Sequence, residues 1–516
     1  MIKKVRIEIK RSSFWIHNFE MPIGKDFQNC TSYSLFKTIA NVYDPRARMY
    51  RCTLDLYDKR NKILKIPAGY GINNILEYLS NSYHEVVWDI EDKHKEFVDH
   101  YTTNLEMRPG YEPRDKIQSD AINFLSSCVT DEYTEGKGHQ LYLSLDTGMG
   151  KTFCTIYTLV KLKLPAIIIS YNLSDQWVEK IKEYVKIKDS DIFVIRGSES
   201  IKKILTSEKT YPFYIASVST LRRFSDMYKN LNLLFDRMKI AVKVFDEAHN
   251  QYKANSFIDV NSDVRYTFYL TATPGRSSYL EDRVYKNIFA TIPIHGVYTH
   301  TLKNYYKIKY LKYDTRPSYN DRRSCSTQKG FSAINYFNYL FRNEEKKLAI
   351  VGMIKYYADK ILIPYPKHRV LVFIPSLEFM DYLYKFLTNN YNLPYTVGQY
   401  CSNIKNIKDR EEMLNKNLII TTIAAGSTGK DIPNLKAVIS MTPFSSSILC
   451  RQILGRLREL KDGGDSYFLD FTDIGFSSAV KQRYLRSGIL NQRAASTEEK
   501  FINLNDMILY LKENMK

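Results

Sequence analysis

Leu141-Tyr-Leu-Ser-Leu-Asp146 running into Thr147-Gly-Met-Gly-Lys-Thr152 is the stretch on which the fold turns. A short apolar run of strand type meets two glycines, a lysine and a threonine, and helical spacing takes over near Phe153. Gly148 and Gly150 let the backbone N–H groups around Thr147 and Met149 close on a phosphate, and the helix N-terminus adds the positive end of its dipole. Lys151 is placed to reach β- and γ-phosphates, and Thr152 to ligand Mg²⁺. A lone Gly-Lys-Thr triplet is weak evidence; the strand–loop–helix context makes it a phosphate loop. Leu145 stands where the longer form of the motif often has Gly or Ala, so the match is to the shorter form.

One α/β unit further on, Asp246-Glu-Ala-His249 closes the apolar strand Val242-Lys-Val-Phe245. Two adjacent carboxylates there divide the labour of phosphoryl transfer to water: Asp246 holds Mg²⁺ and Glu247 orients and deprotonates the attacking water. His249 lies too near these acids to share a metal with them and is expected to hydrogen-bond to a neighbouring motif. Further strands are read at Ala166-Ile-Ile-Ile169, Phe213-Tyr-Ile-Ala216 and Phe268-Tyr-Leu270, alternating with helical patterns from about residue 115 to 290. A second series uses Val370-Leu-Val-Phe-Ile374, Leu418-Ile-Ile-Thr421, Ala437-Val-Ile-Ser440 and Tyr467-Phe-Leu-Asp470. Two successive α/β units of similar size imply a duplicated architecture without a short-period repeat.

At 516 residues the chain suits about three domains. Its 75 Lys+Arg against 56 Asp+Glu leave a net charge of +19, which favours a polyanionic partner, nucleic acid before a membrane surface. Seven cysteines show no CxxC pair and no His partner at metal-ligand spacing, so zinc and a disulfide framework are not expected and a reducing interior is. The start, Met1-Ile-Lys-Lys-Val-Arg-Ile-Glu-Ile-Lys10, is broken by charge and is not a signal-peptide core, and no uncharged apolar stretch reaches bilayer length. A cytoplasmic location inside a host cell is the expectation.

Residues 1 to about 105 read as a small α+β unit. Val5-Arg-Ile-Glu-Ile-Lys10 alternates like a strand, Arg51-Cys-Thr-Leu-Asp-Leu-Tyr57 and Lys62-Ile-Leu-Lys-Ile66 read as a hairpin, and Gly71-Ile-Asn-Asn-Ile-Leu-Glu-Tyr-Leu79 has helical spacing. The two prolines and the glycine of Met107-Arg-Pro-Gly-Tyr-Glu-Pro-Arg114 place a linker or boundary there.

The ordered set of motifs resembles that of superfamily 2 helicases of the DExH type. Besides the phosphate loop and the acidic strand end, it includes Ile167-Ile-Ile-Ser-Tyr-Asn-Leu-Ser-Asp-Gln-Trp177, Leu270-Thr-Ala-Thr-Pro274, Ile420-Thr-Thr-Ile-Ala-Ala-Gly-Ser-Thr-Gly-Lys-Asp-Ile-Pro433 and Gln452-Ile-Leu-Gly-Arg-Leu-Arg458. The resemblance implies an α/β fold of two tandem RecA-like domains with parallel sheets, about 106–295 and 296–516, behind an accessory domain at 1–105. It implies ATP and Mg²⁺ bound between the two domains, with Gly429, Asp431, Gln452, Arg456 and Arg458 as the second domain's share. Arginines often stand four and seven positions after the glutamine of the last motif; here Arg456 fits, while Glu459 takes the later place and Arg458 falls one residue early. In a continuing helix that shift turns a side chain by about 100°. Arg458 would then either reach the γ-phosphate or pair with an acid such as Glu459.

Gln118 in Arg114-Asp-Lys-Ile-Gln118 falls where a glutamine reads the adenine edge, a pairing its amide suits, against the alternative of an exposed residue at a helix start. By the same resemblance Asn172, Ser217, Thr220, Ser376, Thr421 and Thr422 would hold one nucleic-acid strand, with helix capping as the rival role for the hydroxyls. Asp44-Pro-Arg-Ala-Arg-Met-Tyr50, the hairpin after it and Ile66-Pro-Ala-Gly-Tyr-Gly71 are similar to the layout of the phage recombination helicase UvsW and related viral helicases, with Arg46 and Arg48 as DNA contacts. That implies forks, R-loops and other branched or duplex DNA as substrate, with replication or recombination proteins as company and a monomeric state. RNA-directed and transcript-release helicases, and an ATP-gated annealing module, are the alternatives. Leu302-Lys-Asn-Tyr-Tyr-Lys-Ile-Lys-Tyr-Leu-Lys-Tyr-Asp314 interleaves base and aromatic as a nucleic-acid contact can, but reads better as a strand with a solvated face. The sequence shows no nuclease constellation.

Overall fold

The computed structural model describes residues 3–17, 32–36, 49–53, 56–58, 61–82, 86–93, 100–129, 139–146, 148–171, 175–228, 231–272, 274–276, 279–296, 306–327, 330–401, 404, 407–426, 432–457, 460, 462, 464–513 and 515. They fall into two compact units, one from Met1–Lys37 and Arg46–Tyr298, the other from Thr299–Lys516.

The first unit carries two sheets. Strands β1 (Lys3–Ile9), β2 (Ser13–Ile16), β5 (Leu56–Asp58), β6 (Ile63–Pro67) and β7 (Val86–Asp92) form a five-stranded sheet in the order β5-β6-β2-β1-β7, while β3 (Ser32–Phe36) pairs with β4 (Met49–Thr53) in a separate ribbon. The hairpin expected over 51–66 is therefore half right. Leu56–Asp58 does pair antiparallel with Ile63–Pro67, but Arg51 to Thr53 belong to a strand whose partner is Ser32–Phe36. Alternation marks a strand and not its neighbour, and a partner many residues upstream leaves no local trace.

The larger sheet runs β10 (Ile192–Ile195), β11 (Phe213–Ser217), β9 (Ala166–Ser170), β12 (Val242–Phe245), β13 (Tyr266–Thr271), β8 (Gln140–Ser144), β14 (Ile294–Gly296), all parallel. Its central strands β8, β9, β11, β12 and β13 are buried along their whole length, as continuous apolar runs between two helical layers must be. The second unit repeats the plan: β19 (Val397–Tyr400), β20 (Leu418–Thr421), β18 (Arg369–Phe373), β21 (Leu435–Ser440), β22 (Ser466–Asp473), β15 (Tyr306–Tyr313), β23 (Ala494–Phe501), again all parallel, beside a small ribbon of β16 (Ser326–Thr327) and β17 (Gly330–Phe331). These are two tandem RecA-like folds preceded by a small N-terminal sheet.

The Tyr- and Lys-rich run before residue 314 is the interior strand β15. Tyr306, Ile308 and Tyr310 are buried on one face and Leu311 and Tyr313 on the other, and three half-buried lysines pair with acids: Lys307 with Asp465 at 2.6 Å, Lys309 with Glu498 at 2.8 Å, and Lys312 with Glu499. Of its two readings the strand is the one found, but the expected solvated face is not, since both faces carry core residues.

The N-terminal sheet is bonded to the first RecA-like sheet rather than tethered to it. Thr291 N donates to Gly69 O at 2.9 Å, and a Cβ on Gly69 would lie 2.1 Å from Ile288 O, so only glycine allows that approach. Arg11 pairs with Asp263 at 3.2 Å, and Lys65 Nζ donates to Asn261 Oδ1 at 2.6 Å. Lys243, fully buried on β12, donates to Ser12 Oγ at 2.9 Å and to Ser262 O at 2.7 Å, and lies 2.7 Å from Asp259 Oδ1. Burial pulls its ammonium below the usual lysine range, and Asp259 opposes that pull. Removing one partner of such a pair leaves the other charge buried and uncompensated. Lys243→Ala is therefore expected to destabilise the first unit by about 3–5 kcal/mol, read as a lower urea midpoint; an unchanged midpoint would show that Asp259 does not depend on this lysine.

The run 107–114, expected as a linker or boundary, is bonded at its start to the helix end near Val185. Met107 bridges Val185, Arg108 N donates to Tyr184 O at 2.7 Å, and Lys186 N donates to Glu106 O at 2.8 Å.

Candidate nucleotide and nucleic-acid site

Parallel strands aim all their C-terminal ends the same way, so the loops after β8, β13 and β12, three adjacent strands, leave one edge of the sheet. Those loops are the phosphate loop, the Thr271-Ala272 segment and the Asp246–His249 turn.

Helix Lys151–Lys161 starts directly from Gly150, whose φ of +95° is left-handed. A Cβ there would sit 2.3 Å from Gln118 Nε2, so Gly150 serves both the turn and the seat of Gln118. Lys151 Nζ donates back to Leu145 O, at the end of the strand before the loop, at 2.9 Å. Asp146 and Met149 are buried and Thr152 half-buried in the first helical turn. Gln118 lies on helix Lys116–Ser126, capped by Asp115, whose Oδ1 accepts Gln118 N at 2.9 Å. Its side chain is not exposed: it is 4% accessible, donates to Met149 O at 3.1 Å and accepts from Arg114 N at 3.1 Å. One N–H and one lone pair of the amide remain for a base edge.

Beside the loop, Asp246 accepts from Trp177 Nε1 at 2.8 Å. Burial, and then the neighbouring Glu247, push its carboxyl up to about 6, while the Trp177 hydrogen bond and the Lys151 charge act the other way. A carboxyl raised in this way, with a second acid beside it, fits a divalent cation, which would restore the ionised form of Asp246 at neutral pH. Glu247 adopts φ +49°, left-handed for a residue with a side chain, and its Oε2 is buried without a hydrogen bond, 3.3 Å from His249 Nδ1. His249 is fully buried and shares a 2.7 Å hydrogen bond with Thr271 Oγ1. Burial, then Arg276 and Lys151, push its imidazole down to about 3, so it is neutral at physiological pH. The expected bond from His249 to a neighbouring motif is thus made to the Thr271 segment.

Ser217 closes β11 and joins a hydroxyl cluster with Ser219 at 2.9 Å and Thr220 at 2.8 Å, while also accepting Thr220 N at 3.2 Å. In the second unit Ser376 caps helix Leu377–Asn390 by accepting Phe379 N at 3.3 Å. Thr421 is fully buried and donates to Tyr400 O at 2.7 Å, whereas Thr422 is half-buried and accepts Ala425 N at 3.4 Å. Capping and strand-end roles thus coexist at these positions.

Gln452 lies on helix Ser447–Leu454, which ends at Gly455, and Arg456 follows, 8% accessible, its N bonded to Ile453 O at 3.1 Å. The rotation of about 100° expected for a continuing helix does not apply, because the helix stops before either arginine. Beneath it Arg486, 1% exposed, grips Asp470 through Nε at 3.0 Å and Nη2 at 2.7 Å, and donates from Nη1 to Phe444 O at 2.9 Å. Thr147, Asn172, Gly429, Asp431, Arg458, Arg46 and Arg48 lie outside the described residues.

Trp177, Arg276, Asn255 and Arg486 escaped sequence reading. Trp177 closes a motif that was quoted, but nothing in its spacing says that its indole reaches an acid 69 residues later.

The family model described as the res subunit of type III restriction enzymes matches residues 111–276, the stretch that holds the phosphate loop and the acidic turn. The transcript termination protein A18 of Yaba monkey tumor virus is 25% identical over 69% of this chain and 72% of its own length. Protein QP509L of African swine fever virus (isolate Pig/Kenya/KEN-50/1950), described as a proposed ATP-dependent RNA helicase, is 21% identical over 62% of each chain. Among solved structures, S. cerevisiae Dbp5 bound to RNA and ADP BeF3 is similar at a TM-score of 0.50 and 16% identity, covering 78% of this chain and 93% of that one. T4 UvsW covers 97% of this chain and 100% of its own at a TM-score of 0.32 and 15% identity. With its two RecA-like folds and its motifs in order, this chain is similar to superfamily 2 helicases. Among the described residues no helix is long and apolar enough to cross a membrane.

Proposed function

We propose that the chain is an ATP-driven translocase on nucleic acid, with duplex or branched DNA as its track. The observation that carries the reading is the convergence on one sheet edge of Lys151, the Asp246–Glu247 pair and the His249–Thr271 bond. Lys151 holds the β- and γ-phosphates, Gln118 the adenine edge, and Glu247 takes the proton of the attacking water. Thr152 and Asp246 would hold Mg²⁺, which when bound offsets the charge of the phosphate oxygens. Gly429, Asp431, Gln452, Arg456 and Arg458 are the second domain's share. Asn172, Ser217, Thr220, Ser376, Thr421 and Thr422 grip one strand, Thr421 through its backbone because its hydroxyl is committed to Tyr400. Arg46 and Arg48 add contacts from the N-terminal module. The net charge of +19 supports a polyanionic track.

A second reading, release of transcripts from nucleic acid, is favoured by the name of the poxvirus relative. ATPase rates measured in parallel with single-stranded DNA, duplex DNA, forked DNA and RNA separate the two. Stimulation is expected from DNA, with forks at least matching single strands. Stimulation by RNA alone would overturn the DNA track, and no stimulation by any of them would overturn translocation.

A further inference from the structure

The turn that presents Glu247 is strained and held from outside. Glu247 (φ +49°) and Gln251 (φ +48°) both occupy the left-handed region, which non-glycine residues keep only where their surroundings enforce it. Within the turn Asn250 N donates to Glu247 O at 2.7 Å, and Ala248 N donates to Leu270 O of β13 at 2.8 Å. The three carbonyls that follow Glu247 are each taken by a side chain from elsewhere. Asn255 Nδ2 donates to Ala248 O at 3.2 Å and to Asn250 O at 2.9 Å. Arg276 Nη1 donates to His249 O at 2.9 Å.

Arg276 is itself fixed. Its guanidinium lies 5.4 Å from the centre of the Tyr252 ring, and its backbone N donates to Asp282 Oδ1 at 2.7 Å. Gly275 makes that bond possible: its φ is +115°, and a Cβ there would lie 2.7 Å from the same Asp282 oxygen. Arg276 stands five residues beyond Thr271, the partner of His249, so two bonds from one short segment bracket the turn, one to the ring of His249 and one to its carbonyl.

We infer that Arg276 is a positioning residue for Glu247, with Asn255 as its counterpart on the other carbonyls. It acts by holding the strained turn, so that the carboxylate meets the water at the angle hydrolysis needs. Its guanidinium touches the His249 carbonyl and the Tyr252 ring, and its backbone N is held by Asp282. The inference rests on the reading of Glu247 as the base, and a misplacement of a catalytic group by about 1 Å is enough to cost on the order of 100-fold in rate.

The test compares Arg276→Ala and Arg276→Lys with the wild type, alone and in a Glu247→Gln background. ATP turnover is expressed per site that binds a fluorescent ATP analogue, which removes unfolded protein from the count. Arg276→Ala is expected to lower kcat by about 10- to 100-fold with KM for ATP changed less than about twofold. Arg276→Lys, which keeps a donor within reach of the carbonyl, is expected to recover part of the loss. In the Glu247→Gln background neither substitution should lower turnover further, since both act through the same group. Full turnover in Arg276→Ala would overturn the inference, and so would a loss carried by KM, or an undiminished extra loss in the Glu247→Gln background. A wild type without ATPase activity, or a Glu247→Gln variant that hydrolyses normally, would instead overturn the functional reading on which it rests.

Discussion

Glu247→Gln is expected to bind ATP as the wild type does and to hydrolyse it about 10²- to 10⁴-fold more slowly, the range a positioned general base supplies. The amide has the shape of the carboxylate and keeps an oxygen beside His249, but it cannot accept the water's proton. Its two neighbours are engaged elsewhere: His249 is held neutral with its Nδ1 bonded to Thr271, and Asp246 accepts from Trp177. Lys151→Ala is expected to fail in the opposite way. Its ammonium is bonded to the Leu145 carbonyl and can turn to a phosphate at the cost of that bond. Without it, nucleotide binding itself should be lost. Equilibrium binding of a fluorescent ATP analogue together with single-turnover hydrolysis separates the two variants. Wild-type turnover in Glu247→Gln would assign the base elsewhere.

The second large effect is expected at Arg456. Charge that develops on the transferring phosphoryl group is best met by a planar guanidinium, and such a residue is worth about 10³–10⁵ in turnover. Arg456 follows the end of its helix at Gly455, and that helix rests on the Arg486–Asp470 pair, with Cys450 4.0 Å from the Arg486 carbonyl. The backbone that carries this guanidinium is fixed by its own unit. Arg456→Lys should therefore lose most turnover at saturating ATP and nucleic acid, while nucleotide affinity stays within about one order of magnitude. If Arg458→Lys lost turnover and Arg456→Lys did not, the roles of the two would be reversed. Near-normal turnover in both would remove the second domain's arginines from the reaction.

Much of this molecule is legible from its residues alone, for a physical reason. A strand buried on both faces of a parallel sheet is mainly apolar, so β8, β9, β11, β12, β13, β18, β20, β21 and β22 stand out as short runs rich in apolar residues. The loops that follow such strands carry chemistry that depends on residue type: two glycines for a tight anion loop, two acids for a cation and a water. Their order along the chain was enough to read two RecA-like folds and to place Lys151 and Glu247. The edge strands were not legible as members of these sheets. Ile294–Gly296 is three residues long, and β23 is exposed over its last seven residues and mostly polar between Ala495 and Phe501, so neither carries a sustained apolar signal.

Only the tertiary structure decided which side chains hold the site in shape. Trp177 on Asp246, Arg276 on the His249 carbonyl, Lys243 on Ser12 and Arg486 on Asp470 join residues 69, 27, 231 and 16 apart. Hydrogen bonds of that kind depend on where folding brings a donor and an acceptor, not on how far apart they lie in the chain. The same holds for the N-terminal module. Its alternating strands could be read directly, but its attachment beneath β12, through a buried lysine that needs Ser12 as an acceptor, exists only once both sheets have formed.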